Sequence, residues 1–386
     1  MNSTQSSLST TPALTDESTL EAALNYLLDH VVLDMQGGYS LPELFELLLR
    51  AASRGDSIEH TARCLQHVPR GNGIRYHLDK LSDMVALEAQ LNAALQRRIP
   101  PRIAKHPHRL AIDLHLLPYY GIPSDIEAPY IYRSQAKAGT TSFFAYATVY
   151  VICRHKRVTL AVHAVHRQET LVATLTYLLA KLAPLELQVQ RLYLDRGFYC
   201  VPVIRWLQAL KLPFILPAVI RGKTGGTRRL LTGRKSYQTQ HTLHSRKHGS
   251  VGCQMRVVCS YHKGRRGKHG IAYFVYVVHR VKVALRQIHH YYRERFGIET
   301  SYRIKNHCRI RTTSKNPVVR LLFVALAFIL VNLWVYLLWR FVSVSRRGGR
   351  VVYQALFDLK TMLEFLSHAV ERHFPVITAI YLPALE

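Results

Sequence analysis

The sequence predicts an α/β core behind a helical N-terminal domain, and three stretches carry that prediction. Over residues 110–116 apolar and polar side chains alternate. Leu110, Ile112, Leu114 and Leu116 fall on one face, Asp113 and His115 on the other, which is the period of a β-strand. Residues 143–153 and 158–165 read as two further strands split by the basic turn Arg154-His155-Lys156-Arg157, a hairpin pattern. Helical spacing over 168–182 then leads into a fourth strand over 188–194, which ends at Asp195-Arg196-Gly197-Phe198.

From the N-terminus, residues 1–16 are rich in Ser and Thr and lack both a basic start and an apolar core, so a disordered leader is expected rather than a signal peptide. Residues 17–100 are expected to form a helical DNA-binding domain. Leu20, Ala23, Leu24, Leu27 and Leu28 make one apolar stripe, and Leu44, Leu47, Leu48 and Ala51 make another. Asp56-Ser57 cap a short helix, Pro69, Gly71 and Gly73 break the pattern, and residues 74–81 return to helical register. Two short helices around a glycine-bearing turn suit a helix-turn-helix module. In that reading Arg75, Tyr76, His77 and Lys80 face a major groove; small helical domains also make such turns for structural reasons alone.

Pro100, Pro101 and Pro107 mark a linker, after which the catalytic core is expected over 106–212 and 285–386, with a short helix at 203–210. Between its halves, residues 213–284 read as a β-rich insertion. Runs at 214–220, 254–260 and 271–278 alternate there with basic, glycine-rich loops at 221–229 and 262–269. Residues 291–305 read as one amphipathic helix. Residues 321–339 are almost unbroken apolar sequence, with Asn332 as the polar exception. That length can cross a bilayer. A helix buried beneath a sheet has the same composition, and no other part of the chain supplies a membrane topology.

The 386 residues carry 52 Lys and Arg against 24 Asp and Glu, a formal net charge of +28. Such an excess, spread along the chain, points to a polyanionic partner, nucleic acid before an acidic membrane surface. The six cysteines form no CxxC pair and read as reduced thiols.

With acids scarce, three stand out. Asp113 lies among aliphatics in a strand, where an unpaired carboxylate is costly. Asp195 ends a second strand. Glu299 shares a helix face with Tyr292, Arg295 and Tyr302, and a Gly297 that weakens a helix sits two residues before it. A surface helix with an Arg295–Glu299 ion pair accounts for the last pattern alone. Together the three suggest an all-oxygen site for Mg2+ or Mn2+. Two such ions about 3.5–4 Å apart support in-line phosphoryl displacement, and DNA phosphates complete their coordination.

The blocks Tyr292-Arg293-Glu294-Arg295-Phe296-Gly297-Ile298-Glu299-Thr300-Ser301-Tyr302-Arg303, Ala111-Ile112-Asp113 and Tyr193-Leu194-Asp195-Arg196-Gly197-Phe198 resemble insertion-sequence transposases of the DDE type. Their RNase H-like core carries a β-rich insertion and a YREK signature; Gly139-Thr140-Thr141 and the following residues 143–148 are similar to their first hairpin. The resemblance spans roughly residues 109–339. It implies Asp113, Asp195 and Glu299 as catalytic metal ligands, with Tyr292 and Arg295 on DNA phosphates near the scissile end. The signature's lysine is replaced by Asn306, with Lys305 one place earlier, about 100° away around a helix; Lys305 or Arg303 would take its part.

The resemblance further implies a prokaryotic, nucleoid-associated enzyme that needs Mg2+ or Mn2+, as two ions. It would act as a homodimer on double-stranded DNA, cleaving the terminal inverted repeats of its element and joining them to target DNA, with no membrane involved. A decayed, inactive DNA-binding protein or repressor, and a protein anchored through residues 321–339, are the alternatives. Other motifs lead nowhere: Pro217 stands where a P-loop before Gly222-Lys223-Thr224 needs glycine. Cys253, Cys259, His262 and His269 have no zinc-site spacing. Trp206, Trp334 and Trp339 read as core. The loops at 221–229 and 263–268 are expected to touch phosphates.

Overall fold

A computed structural model describes residues 13–34, 39–99, 107–152, 158–261, 270–347 and 349–380. The leader up to residue 12, the Pro100-Pro101 linker, the basic turn at 154–157 and the loop at 262–269 lie outside them. The chain forms two compact units: residues 1–100 with 305–314 and 318–386, and residues 101–304 with 315–317.

The first unit is helical. Helices α1 (Asp16–Leu28) and α2 (Leu41–Arg54) each begin with a reciprocal capping box, Thr15 with Ser18 and Ser40 with Glu43. Gly55, at φ +66°, ends α2 in the left-handed conformation that favours glycine. Helices α3 (Ile58–Cys64) and α4 (Gly71–Asp79) follow, Ser57 capping the first, and α5 (Met84–Gln96) starts from Asp83. A Cβ on Gly71 would stand 2.9 Å from the Glu59 Cα, so α3 and α4 pack at a distance that only glycine permits.

Residues 305–314 and 318–386 join these helices rather than the sheet unit, a different partition from the 285–386 core half expected above. The segment contributes α10 (Pro317–Phe341), the hairpin β10 (Ser343–Arg346)–β11 (Gly349–Val352) and α11 (Leu359–His373). Arg50 of α2 pairs with Glu371 of α11 at 2.7 Å, and Arg372 with Asp16 of α1 at 2.6 Å. By length and composition α10 could cross a membrane, yet 94% of its most apolar window is buried within the protein. The amide of Asn332 donates to the Leu95 carbonyl of α5 at 3.1 Å, and Trp334 donates to the Phe357 carbonyl. Its apolarity therefore has a packing cause.

The second unit is built on one sheet. Its strands are β1 (His108–Pro118), β2 (Ile131–Lys137), β3 (Thr140–Ile152), β4 (Thr159–Ala164), β5 (Val189–Leu194), β6 (Phe214–Pro217), β7 (Tyr237–Ser245), β8 (Gly249–Tyr261) and β9 (Ile271–His279). The order is β2-β3-β1-β5-β6-β9-β8-β7, with β4 also on β3. Within it β4-β3-β1-β5-β6 forms an antiparallel hairpin pair followed by two parallel steps, the RNase H-like arrangement. Helix α6 (Leu171–Leu182) connects β4 to β5, and α7 (Val201–Ala209) connects β5 to β6.

The stretch 213–284 is β-rich as the sequence indicates, and its strands prolong the central sheet: β6 pairs with β5 and β9 with β6. Strand β2, whose Ile131 to Arg133 pair with β3, lies in a stretch where no strand was expected.

The expected single helix over 291–305 is interrupted. Helix α8 (Ile288–Arg293) and helix α9 (Phe296–Asn306) are separated by a turn at Glu294 and Arg295. There the Arg295 and Ile298 amides bond back three residues, to Tyr292 and Arg295. Arg295 is buried at this tighter, 3₁₀-type turn.

Candidate active site

Two periodicities meet at the site. In the parallel register of β1 and β5, Ala111 faces Tyr193 and Ile112 faces Leu194, so Asp113 and Asp195 come next, on neighbouring strands. Side chains alternate along a strand, which puts Ala111, Asp113, Tyr193 and Asp195 on one face. Ala111, Tyr193 and Ile215 there form an apolar cluster with Ile288, Tyr292 and Ile298 from α8 and α9. Seating that helical face on the sheet brings Arg295 and Glu299 to the strand ends.

Arg295 gathers all three acids. Its Nη1 donates to Asp113 Oδ2 at 2.9 Å, while Nη2 lies 3.2 Å from both Asp195 Oδ1 and Glu299 Oε1. The two latter oxygens are thus no farther apart than twice that distance. Side-chain exposure is 6% for Arg295 and 13% for Asp113, against 42% for Asp195 and 45% for Glu299. The site is rooted in the core and opens outward. Burial pushes the Asp113 carboxyl up to about 6, against the downward pull of Arg295. Its Oδ1 accepts the Leu114 amide at 2.9 Å.

Behind Asp113, its β3 partner Thr148 shares a 2.6 Å hydrogen bond with the Tyr302 hydroxyl, and His115 packs on the Tyr302 ring. A second network was missed from the sequence. Glu294 binds Arg109 of β1 and accepts the Tyr193 hydroxyl at 3.0 Å, and Arg191 donates to that same hydroxyl. Its signal was an acid beside Arg295 in a chain short of acids. Beside Asp195 opens a cleft of about 410 Å³ that includes Arg196, Tyr273, Phe274, His289, Arg293 and Arg295 in its lining.

The expected DNA-contacting residues are placed as follows. Arg295 is at the centre of the acids. Tyr292 is buried and donates to the Leu194 carbonyl at 3.1 Å, so its hydroxyl fastens α8 to β5. Arg303 is exposed. Lys305 is fully buried near the Phe328 ring, which differs from the expected phosphate contact because its position on α9 falls on an apolar face. Arg75 and Lys80 are exposed on or just after α4, Arg75 paired with Glu59 at 3.1 Å and Lys80 over the Tyr76 ring. One further signal was legible and overlooked: residues 196–293 hold 20 of the 52 Lys and Arg and no Asp or Glu.

Among the described residues no three His, Cys, Asp or Glu form a closed metal cage, since the acids meet through the guanidinium rather than directly. The donor set nevertheless suits a hard divalent cation: it is all oxygen, and three carboxylates around one arginine leave an excess of negative charge.

An RNase H-like sheet with acids on two adjacent central strands and on the helix that covers them defines a polynucleotidyl transferase or nuclease class. The family described as Transposase DDE domain matches residues 106–333, more than half of the chain, and the protein belongs to that family. It is a DNA transposase, an enzyme that works on DNA with divalent metal ions. Among solved structures the chain is similar to piggyBac transposase, seen by cryo-EM in a synaptic complex with hairpin DNA. The TM-score is 0.53 at 13% identity, with 92% of this chain and 77% of that one covered, a likeness of fold. No curated protein sequence matches significantly.

Proposed function

We infer that Asp113, Asp195 and Glu299 are the catalytic carboxylates and hold two ions, Mg2+ or Mn2+. The observation that carries this reading is their convergence on one buried arginine from three distant parts of the chain. When bound, paired divalent ions activate the attacking oxygen and stabilise the leaving oxygen of an in-line displacement. The protein's own contribution is placement. β1 and β5 fix Asp113 and Asp195 side by side, the apolar face of α8 and α9 fixes Glu299 across from them, and Asp113 is held in a dry environment where charge interactions are strong. A water and then a DNA 3′-hydroxyl attack, with no covalent enzyme intermediate.

The substrates in this reading are the terminal inverted repeats of the element and a target duplex. The acid-free stretch at 196–293 supports DNA backbone contact along β7, β8 and β9, and exposed Arg75 and Lys80 support groove contact by α4. The synaptic complex with hairpin DNA seen for the piggyBac protein supports a DNA partner, on which this reading places a homodimer, and a cytoplasmic, nucleoid-associated location fits the charge. The test is Asp113→Asn and Glu299→Gln assayed on duplexes that carry the element's ends. Both should lose nicking and strand transfer in Mg2+ while still shifting the DNA; strand transfer that survives either change refutes the assignment.

A further inference from the structure

Arg295 stands where a cation would stand. A divalent ion of the Mg2+ type sits about 2.1 Å from its oxygen ligands, closer than the 3.2 Å at which Nη2 meets Asp195 Oδ1 and Glu299 Oε1, so an ion held by those oxygens competes with Nη2 for them. Both cannot be there together. The guanidinium also leaves something undone: its Nε is buried without a hydrogen-bond partner among the described residues, although Nη1 and Nη2 serve three carboxylates. A buried donor left unmade is a standing cost. A better acceptor is within the chemistry of the site. Arg295 lines the cleft that also holds Arg196 and Arg293, a setting for a phosphate, and guanidinium–phosphate pairing is bidentate and strong.

From this we propose that Arg295 is an exchangeable counter-ion. It occupies the acid cluster while DNA is absent, moves to a DNA phosphate in the adjoining cleft when DNA arrives, and thereby makes metal loading conditional on DNA. The inference rests on the assignment of Asp113, Asp195 and Glu299 as metal ligands. Arg295 is on this view a positioning residue with two stations, and its flanking rings, Tyr292 and Phe296 at 5.5 and 5.7 Å, guide the guanidinium between them.

The test is calorimetric titration of Mn2+ alone into the full-length chain without DNA, for the parent protein and for Arg295→Gln, Arg295→Lys and Glu299→Gln. Removal of the resident guanidinium should tighten Mn2+ binding by about 5- to 150-fold, the usual range of a coupling between two occupants. Arg295→Lys keeps the charge but cannot span three carboxylates, so it should tighten binding to a smaller degree, and it serves alone if Arg295→Gln does not fold. Thermal melts should show the metal-free Arg295→Gln protein destabilised, with Mn2+ restoring more of its Tm than it adds to the parent.

Equal or weaker Mn2+ binding in whichever arginine variant folds, with binding still lost in Glu299→Gln, overturns the exchange and leaves the metal ligands standing. Mn2+ binding indifferent to Glu299→Gln overturns the ligand assignment and the exchange with it.

Discussion

Tyr193 of β5 donates its hydroxyl to Glu294 at 3.0 Å, a bond that ties the strand leading into Asp195 to the turn that carries Arg295. The same carboxylate takes Arg109 of β1, the strand of Asp113. One acid thus registers both strands of the site against the helical arm. Glu294→Ala should cost about 1–3 kcal/mol in denaturant unfolding, since it strips partners from Arg109 and Tyr193, whereas Tyr193→Phe should cost about 1 kcal/mol. Strand transfer should fall further with Glu294→Ala than with Tyr193→Phe. Equal stability of parent and Glu294→Ala would show the network to be idle.

The buried Lys305 sets a pH dependence. Burial pulls its ammonium down to about 7 from the ordinary 10.5, helped by repulsion from Arg309. The unfolded chain therefore holds one more proton than the folded chain between those values. Stability from this group rises with pH across that window, at up to about 1.4 kcal/mol per unit, and is lost as pH falls through about 7. Urea unfolding of Lys305→Met should lack this slope. A slope equal to that of the parent protein would place the lysine in water.

Salt dependence tests the acid-free stretch. Lys223, Arg229 and Arg234 are exposed on the segment between β6 and β7. If they neutralise phosphates, each change to Ala lowers the slope of log K against log salt by about 0.9 on duplex DNA. The triple variant should lose about 2–3 from that slope in fluorescence anisotropy titrations. An unchanged slope would assign these charges to solvent.

Gly71→Ala probes the α3–α4 turn. The new Cβ would run into Glu59 Oε2 and meet the Glu59 Cα at 2.9 Å; the carboxylate can swing aside, but the backbone must shift. A loss of about 1–3 kcal/mol is expected from such overpacking, with DNA binding reduced in the folded fraction if α4 reads DNA. Thermal melts and gel shifts on one preparation separate the two effects.

Much of the site was legible in the sequence because its residues break local rules. Asp113 interrupts aliphatics, Asp195 follows directly on a strand, and Glu299 sits with Arg295 at helical spacing, so each stands out in a chain short of acids. The expected metal cage and the observed arginine bridge involve the same residues, and only coordinates reveal the guanidinium between the acids. The signature expects its lysine one residue beyond Lys305, and that offset of about 100° around α9 puts Lys305 on the buried apolar face. The pairing of α1 and α2 with α11 could not be read either. Those contacts join segments some three hundred residues apart, and nothing in an amphipathic stripe names its partner.

That pairing governs how the chain comes off the ribosome. The sheet unit lies between the first and the later segments of the helical unit, so all of it but residues 315–317 has been made once residue 304 is reached. Helices α1 to α5, though synthesised first, must wait for α10 and α11 before their apolar faces are covered. A nascent or truncated chain that stops short of Pro317 presents a finished catalytic sheet and an unfinished helical partner. Chaperones and proteases would meet that half-built face first, so loss of the last seventy residues would silence the enzyme through turnover before any chemistry was tested.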